Sequence, residues 1–226
     1  MTTVAIIVAA GKGNRAGGKV AKQWRTIAGK LVVDWSIDAF KNHDLVDFVI
    51  VVLPPNKILN RKDVITCAGG QSRSISVYNG LIAAKNLSPD KVLIHDVARP
   101  AVSADIITDI ILAIDEETGA APGLPISDAV WKISDEEIEK TLDRNFIFRA
   151  QTPQGFPYSK ILKAHEDQNN QSAFDDVELA KKIGLRVVLK TGHKDNMKIT
   201  KPEDFLKMSK ILVRKVGFKI IKKVLE

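Results

Sequence analysis

The chain has 226 residues, 45% apolar and 27% charged, with 14 Gly, 9 Pro and one Cys. That composition excludes a disordered, collagen-like or coiled-coil chain, and the length suits one large domain with a real core. The net charge is +7, but residues 194–226 carry 10 Lys/Arg against 4 Asp/Glu while the rest is nearly balanced; without interleaved stacking aromatics this argues against a general nucleic-acid binder.

Val4–Ala10 is an apolar run ending in glycines, as expected of a strand buried on both faces of a parallel sheet. Val32–Phe40 carries Val33, Ile37 and Phe40 at helical spacing, and Phe48–Leu53 is a second buried strand stopped by Pro54-Pro55. Val64–Cys67 reads as a short strand, with a helix near Ser74–Asn86 after Gly69-Gly70. Val92–His95 is the next strand and Ala104–Ile114 the next helix. Arg186–Leu189 and a helix over 203–215, with Phe205, Met208, Leu212 and Val216 facing the sheet, complete the alternation. Gly217 is expected to interrupt that helix. This predicts an α/β fold: a Rossmann-like, open, mostly parallel sheet with helices on both faces.

From Ala129 to Gln151 the alternation fails. Two β-like pieces, Ala129–Ile133 and Asn145–Gln151, flank the acidic Ser134–Glu139, which predicts an arm of about 129–151 projecting from a single domain spanning 1–226. The basic end, about 203–226, is expected to dock on the body.

The loop after the first strand is the strongest site signal. It reads Ala9-Ala10-Gly11-Lys12-Gly13-Asn14-Arg15-Ala16-Gly17-Gly18-Lys19-Val20-Ala21-Lys22-Gln23. Open α/β sheets bind ligands at the carboxyl ends of their strands, glycines let backbone N–H groups close on an anion, and Lys12, Arg15, Lys19 and Lys22 add four cations. A Rossmann dinucleotide fingerprint is nearly matched, but the second strand ends at Leu53-Pro54 with no carboxylate. A Walker A loop is nearly matched too, but Val20 takes the place of the Mg2+-binding hydroxyl.

A strand entering A-A-G-x-G-x-R, with Lys-Gln some residues on, resembles the nucleotidyltransferases that activate sugar and alcohol phosphates. Four later segments narrow the resemblance: Gly69-Gly70-Gln71-Ser72-Arg73 with Ser76-Val77 and Gly80-Leu81, His95-Asp96-Val97-Ala98-Arg99-Pro100, Thr141–Arg144 followed by Gln151–Phe156, which resembles the arm's return strand, and Asp195–Asp204. Over residues 3–212 the chain resembles the 2-C-methyl-D-erythritol 4-phosphate cytidylyltransferase family. The resemblance implies that Ala9, Ala10, Gly11, Gly13, Arg15 and Lys22 hold CTP, with Gly70 and Ser76 at the cytosine. It implies Asp96 as the Mg2+ ligand, and Arg99, Asp128, Arg144, Thr152 and Lys198 around the methylerythritol phosphate. Arg15, Lys22 and Lys198 would be the catalytic cations, and Arg144 would reach across a homodimer formed through the arms. Some members carry a second pathway enzyme fused beyond this point.

Four positions depart from the family pattern: Ala21 for a Pro, Val97 for an Ala, and Ala129 and Phe174 for Thr residues on the acceptor side. A polyol-phosphate cytidylyltransferase acting on ribitol 5-phosphate is the alternative within the class. A non-catalytic nucleotide-binding regulatory protein is the alternative outside it. Asp175-Asp176 reads as a helix start, where carboxylates favour the dipole, and none of the four His is assigned to a metal. The lone Cys67 suits a reducing compartment, no apolar run approaches the roughly 18–20 residues of a membrane span, and Met1-Thr2-Thr3 leads straight into Val4 with no basic leader. A cytoplasmic protein with no membrane or nucleic-acid partner is expected.

Overall fold

The computed structural model describes residues 1–225 except 12, 14, 15, 19 and 167–172, with side chains described up to 217. The first strand, β1 (Thr3–Val8), lies at the centre of the sheet. It pairs in parallel with β4 (Phe48–Leu53) on one side and β6 (Lys91–Asp96) on the other. β5 (Ile65–Ala68) continues the parallel edge beyond β4. Between β1 and β4 the chain forms a small hairpin, β2 (Thr26–Ile27) with β3 (Lys30–Leu31), and the helix α1 (Val32–Lys41).

Alternate residues of these strands enter two cores. Ala5, Ile7, Val49, Val51 and Leu93 face α1 and α3 (Ala104–Leu112). Val4, Ile6, Ile50, Val52, Val92 and Ile94 face α2 (Arg73–Ala84), α4 (Tyr158–Glu166) and α5 (Asp176–Lys182). The uninterrupted apolar runs are thus double-sided strands, each fully buried side chain stabilising the fold by ~1.5–3 kcal/mol.

The other half of the sheet is mixed. β7 (Thr118–Pro125) is parallel to β12 (Arg186–Thr191), while β10 (Phe148–Ala150) and β11 (Gln154–Pro157) run antiparallel along its opposite side. β11 also runs antiparallel to β6, which carries Thr152 to the end of that strand. The sequence does not mark β7, whose Thr-Gly-Ala-Ala-Pro-Gly-Leu-Pro has no β-branched run, and Gln151–Phe156, expected in the arm's return strand, instead leads into β11 of the main sheet.

The arm is a hairpin with a different return strand from the one expected. β8 (Val130–Ser134) pairs with β9 (Glu137–Leu142) through Asp135 and Glu136, both at positive φ. The acidic Ser134–Glu139 therefore supplies the turn and the start of the return strand. The Asn145–Gln151 piece belongs to a short 3-10 turn and to β10 in the main sheet. Glu137-Ile138-Glu139-Lys140-Thr141-Leu142 is too charged to have looked like a strand.

The last helix, α6 (Asp204–Leu225), also corrects the reading: it runs through Gly217 without a break. Its Met208 and Leu212 pack on Ile27 of the β2–β3 hairpin, on Val32 at the start of α1 and on Ala101 and Ile199 of loops, so α6 docks there instead of on the main sheet. Val216 is exposed.

Candidate active site

A cleft of about 1110 Å3 opens at the carboxyl ends of β1, β4 and β6. Of the expected residues it brings together Ala10, Gly11, Gly13, Lys22, Gly70, Ser76, Asp96 and Lys198. Arg15, Lys12 and Lys19 lie outside the described residues. The remaining candidates lie elsewhere: Ala9 is buried beneath the loop, Arg99 and Thr152 are buried behind Asp96, and Asp128 and Arg144 are exposed on the arm.

The loop leaves the sheet under the control of one side chain that the sequence reading quoted but gave no role. Gln23 is 1% exposed, and its amide donates both hydrogens to loop carbonyls, to Ala9 at 2.9 Å and Gly11 at 2.7 Å. Gly13 has φ +69°, where a side chain is strained, and a Cβ there would stand a tight 3.3 Å from the Lys22 backbone nitrogen, so glycine is favoured by conformation and by space. Lys22 opens a 3-10 turn, and its Nζ donates to the Ile199 carbonyl at 2.7 Å.

The opposite wall is glycine-lined because backbone must pass backbone. A Cβ on Gly69 would stand 2.3 Å from Ala10 Cβ, and one on Gly70 2.1 Å from Ile75 Cγ2. Ser72 caps α2 by accepting from the Ile75 N–H. The Ser76 hydroxyl donates to the Ser72 carbonyl at 2.8 Å and accepts from the Gly70 N–H at 3.1 Å, which fixes this wall.

At the floor, Asp96 is held by cations. Arg73 Nε donates to Oδ1 at 3.2 Å and Lys198 Nζ to Oδ2 at 2.7 Å, with Arg99 Nε 4.0 Å away. Burial alone would raise the carboxyl pKa, but Arg73 and Lys198 hold it well below the ordinary carboxylate range. Asp96 is the only acid among the described cleft-lining residues, which also include the cations Lys22, Arg73 and Lys198.

A buried hydrogen-bond chain sets the orientation of this turn. The Asp96 N–H donates to Thr152 Oγ1 at 3.1 Å, and Thr152 Oγ1 lies 3.0 Å from His95 Nδ1. His95 Nε2 is 3.2 Å from the Arg99 carbonyl, which can only accept, so Nε2 carries the proton and Thr152 donates to Nδ1. Burial pushes the His95 pKa down to about 3, which keeps the ring neutral. Arg99 is similarly committed: its guanidinium donates to the carbonyls of Asn196 at 2.8 Å and Ala150 at 3.1 Å.

Arg73 also pairs with Asp176 at 2.8 Å, and Asp176 in turn meets His165 at 3.1 Å. Asp175 caps α5 by accepting from the Glu178 N–H, as a helix start requires. Arg73 and His95 stand in the family-like segments without an assigned role, and His165 has no local pattern; the fold assembles their contacts. On the arm, the Arg144 guanidinium donates to the Ser127 carbonyl. Phe174 is 95% exposed, and Val97 lines the cleft while packing in the core.

The model of the family described as 2-C-methyl-D-erythritol 4-phosphate cytidylyltransferase matches residues 3–214. A bifunctional IspD/IspF enzyme of Ruegeria sp. (strain TM1040) is 45% identical over 217 residues, covering 94% of this chain. The chain spans only 56% of that relative's length. A 2-C-methyl-D-erythritol 4-phosphate cytidylyltransferase of Roseobacter denitrificans is 43% identical over 222 residues, 96% of this chain and 100% of the relative. The solved cytidylyltransferase of Francisella tularensis superposes with a TM-score of 0.80 at 27% identity, over 93% of this chain and 100% of that one.

Proposed function

This chain belongs to the 2-C-methyl-D-erythritol 4-phosphate cytidylyltransferase family, and we propose that it transfers CMP from CTP to 2-C-methyl-D-erythritol 4-phosphate, releasing pyrophosphate. The observation that carries this reading is a cleft that gathers Lys22, Arg73 and Lys198 with Asp96, which Arg73 and Lys198 bond directly, at the carboxyl edge of parallel strands and beside a glycine-lined wall. Two polyanions must meet in one reaction, and fixed cations offset their repulsion.

The acceptor phosphate carries about −1.5 to −2 charge at pH 7 and needs no enzymic nucleophile. One of its oxygens bonds to the α-phosphorus while the bond from that phosphorus to the pyrophosphate oxygen breaks. The bonding pair leaves with pyrophosphate, and no proton has to move. Ala9, Ala10, Gly11 and Gly13 would line the triphosphate, and Gly70 and Ser76 would hold the base edge. Lys22, Arg15 and Lys198 would meet the charge that grows on the phosphoryl oxygens. Arg99 and Thr152 would act on the acceptor side through the turn they fix.

Asp96 suits Mg2+ by its donor chemistry. It offers hard carboxylate oxygen, and nucleotide-bound Mg2+ commonly takes one or two protein carboxylates, with phosphates and water completing its shell. The ion, when bound, would neutralise phosphoryl charge. Asp96 would hold it, while Arg73 and Lys198 supply positive charge beside the phosphates.

The 226 residues would act as one domain and pair as a homodimer. Ile133, Phe146 and Phe148 are 53%, 84% and 41% exposed on or beside the arm, and an isolated two-stranded ribbon is marginal in water. Pairing of arms would cover them and bring Asp128 and Arg144 to the neighbouring cleft. The test is pyrophosphate release from CTP with a panel of acceptor phosphates. Turnover with methylerythritol phosphate is expected. Turnover with ribitol 5-phosphate alone would assign a polyol-phosphate enzyme, and CTP binding without turnover a regulatory protein.

A further inference from the structure

The Ala16–Gly18 stretch of the first loop lies against the segment that leads into α6 and, through Arg25, against Phe205 of its first turn. A Cβ on Gly17 would stand 3.2 Å from Pro202 Cγ, and one on Gly18 3.8 Å from Arg25 Nη1. Arg25 joins the two. Its Nη1 donates to the Ala16 carbonyl at 3.3 Å, and its guanidinium carbon lies 3.6 Å from the centroid of the Phe205 ring. A planar guanidinium at that distance is stacked on the ring, a contact that an ammonium reproduces poorly.

Phe205 is itself held in place. It lies one residue after Asp204, whose carboxylate accepts from the backbone N–H groups of Thr200 and Lys201 at 2.8 Å each and from the Thr200 hydroxyl at 2.9 Å. Met208 and Leu212 anchor the following turns, and Arg214 pairs with Asp195. The segment just before carries Ile199, whose carbonyl accepts from Lys22, and Lys198, which reaches Asp96. The nucleotide loop and the closing segment therefore meet at several points, and among the described residues Arg25 clasps both, by stacking and hydrogen bonding.

We propose that Arg25 and Phe205 form a clamp in which Arg25 is a positioning residue for the nucleotide: it holds the Ala16–Gly18 part of the loop on α6, and so sets CTP affinity without touching the acceptor. This rests on the cytidylyltransferase reading. The clamp's hydrogen bond goes to Ala16 of the nucleotide loop, whereas Arg99 and Thr152 bond other groups, Arg99 the carbonyls of Asn196 and Ala150 and Thr152 the His95 ring. Its loss should therefore divide the two substrates.

The test combines CTP titration calorimetry with steady-state kinetics on the full-length protein. Arg25→Ala and Phe205→Leu are each expected to weaken CTP binding about tenfold, or ~1.4 kcal/mol, and to raise KM for CTP equally. KM for the acceptor should stay within about twofold, and the double variant should be no worse than either single one. Phe205→Tyr keeps a ring face and should bind CTP within about twofold of the parent; Arg25→Lys keeps the charge but should not restore the stack. Parental CTP affinity in Arg25→Ala, or equal increases in both KM values with a lowered melting temperature, would overturn the clamp. A parent protein that fails to bind CTP would instead strike the proposed function.

Discussion

Lys198 Nζ lies 2.7 Å from Asp96 Oδ2, joining residues 102 apart in the chain. The pair closes the floor of the cleft, and Arg73 completes it on the other carboxylate oxygen. Replacing Asp96 by Asn would leave two cations facing a neutral group. Asp96→Asn is expected to lose about 2 kcal/mol of stability at pH 7 and to weaken the dependence of turnover on Mg2+.

The same pair sets a pH dependence. The folded-state pKa of Asp96 is depressed, so its contribution is complete above the ordinary carboxylate range, near pH 4. It is lost progressively as the pH falls below that range toward the folded value. Denaturant melts should therefore show the gap between parent and Asp96→Asn narrowing from pH 5 to pH 3. A constant gap would contradict the ion pairing.

Lys22 is expected to act on the transition state. Lys22→Ala should lower kcat/KM by about 10²-fold or more, as loss of a fixed cation on developing phosphoryl charge does. An unchanged rate in a folded variant would remove Lys22 from the mechanism.

Backbone crowding makes its own prediction. At Gly69, an added Cβ would meet Ala10 at 2.3 Å, so the first loop and the α2 loop would have to separate. Gly69→Ala should raise KM for CTP and cost about 1–3 kcal/mol of stability. Parental kinetics and melting would show that the wall yields at no cost.

Arg144 can be tested in trans. If it serves the neighbouring cleft, two inactive variants, Arg144→Ala and Lys198→Ala, should complement when subunits are exchanged. Each mixed dimer then holds one intact site, and activity should return to roughly a quarter of the parent. No recovery, or light scattering showing only a monomer of 24.8 kDa, would contradict the arm-mediated dimer.

The parallel half of the fold was legible because its strands are buried on both faces. Val4-Ala5-Ile6-Ile7-Val8 and Phe48–Leu53 leave no polar alternation to confuse the reading. β7 and β9 were not legible: one is built of small residues and prolines, the other of alternating charge, and both depend on pairing for their conformation. The cleft was marked by its glycines and by Lys22, Asp96 and Lys198. The supports of these residues were not. Gln23, His95 and Arg73 stand in the family-like segments and Thr152 is expected at the acceptor, but the contacts by which they and Asp176 support the cleft join distant segments, and spacing along the chain does not show those contacts.

The central claim is that an acceptor phosphate attacks the α-phosphorus of CTP directly in this cleft. The most direct measurement uses methylerythritol phosphate labelled with oxygen-18 in its phosphate, followed by mass spectrometry and phosphorus NMR of the products. The account predicts that every labelled oxygen is retained in the CDP-methylerythritol, one of them bridging the two phosphorus atoms, with unlabelled pyrophosphate formed in equal amount. Label in pyrophosphate, or CMP released to water without formation of the diphosphate, would contradict it.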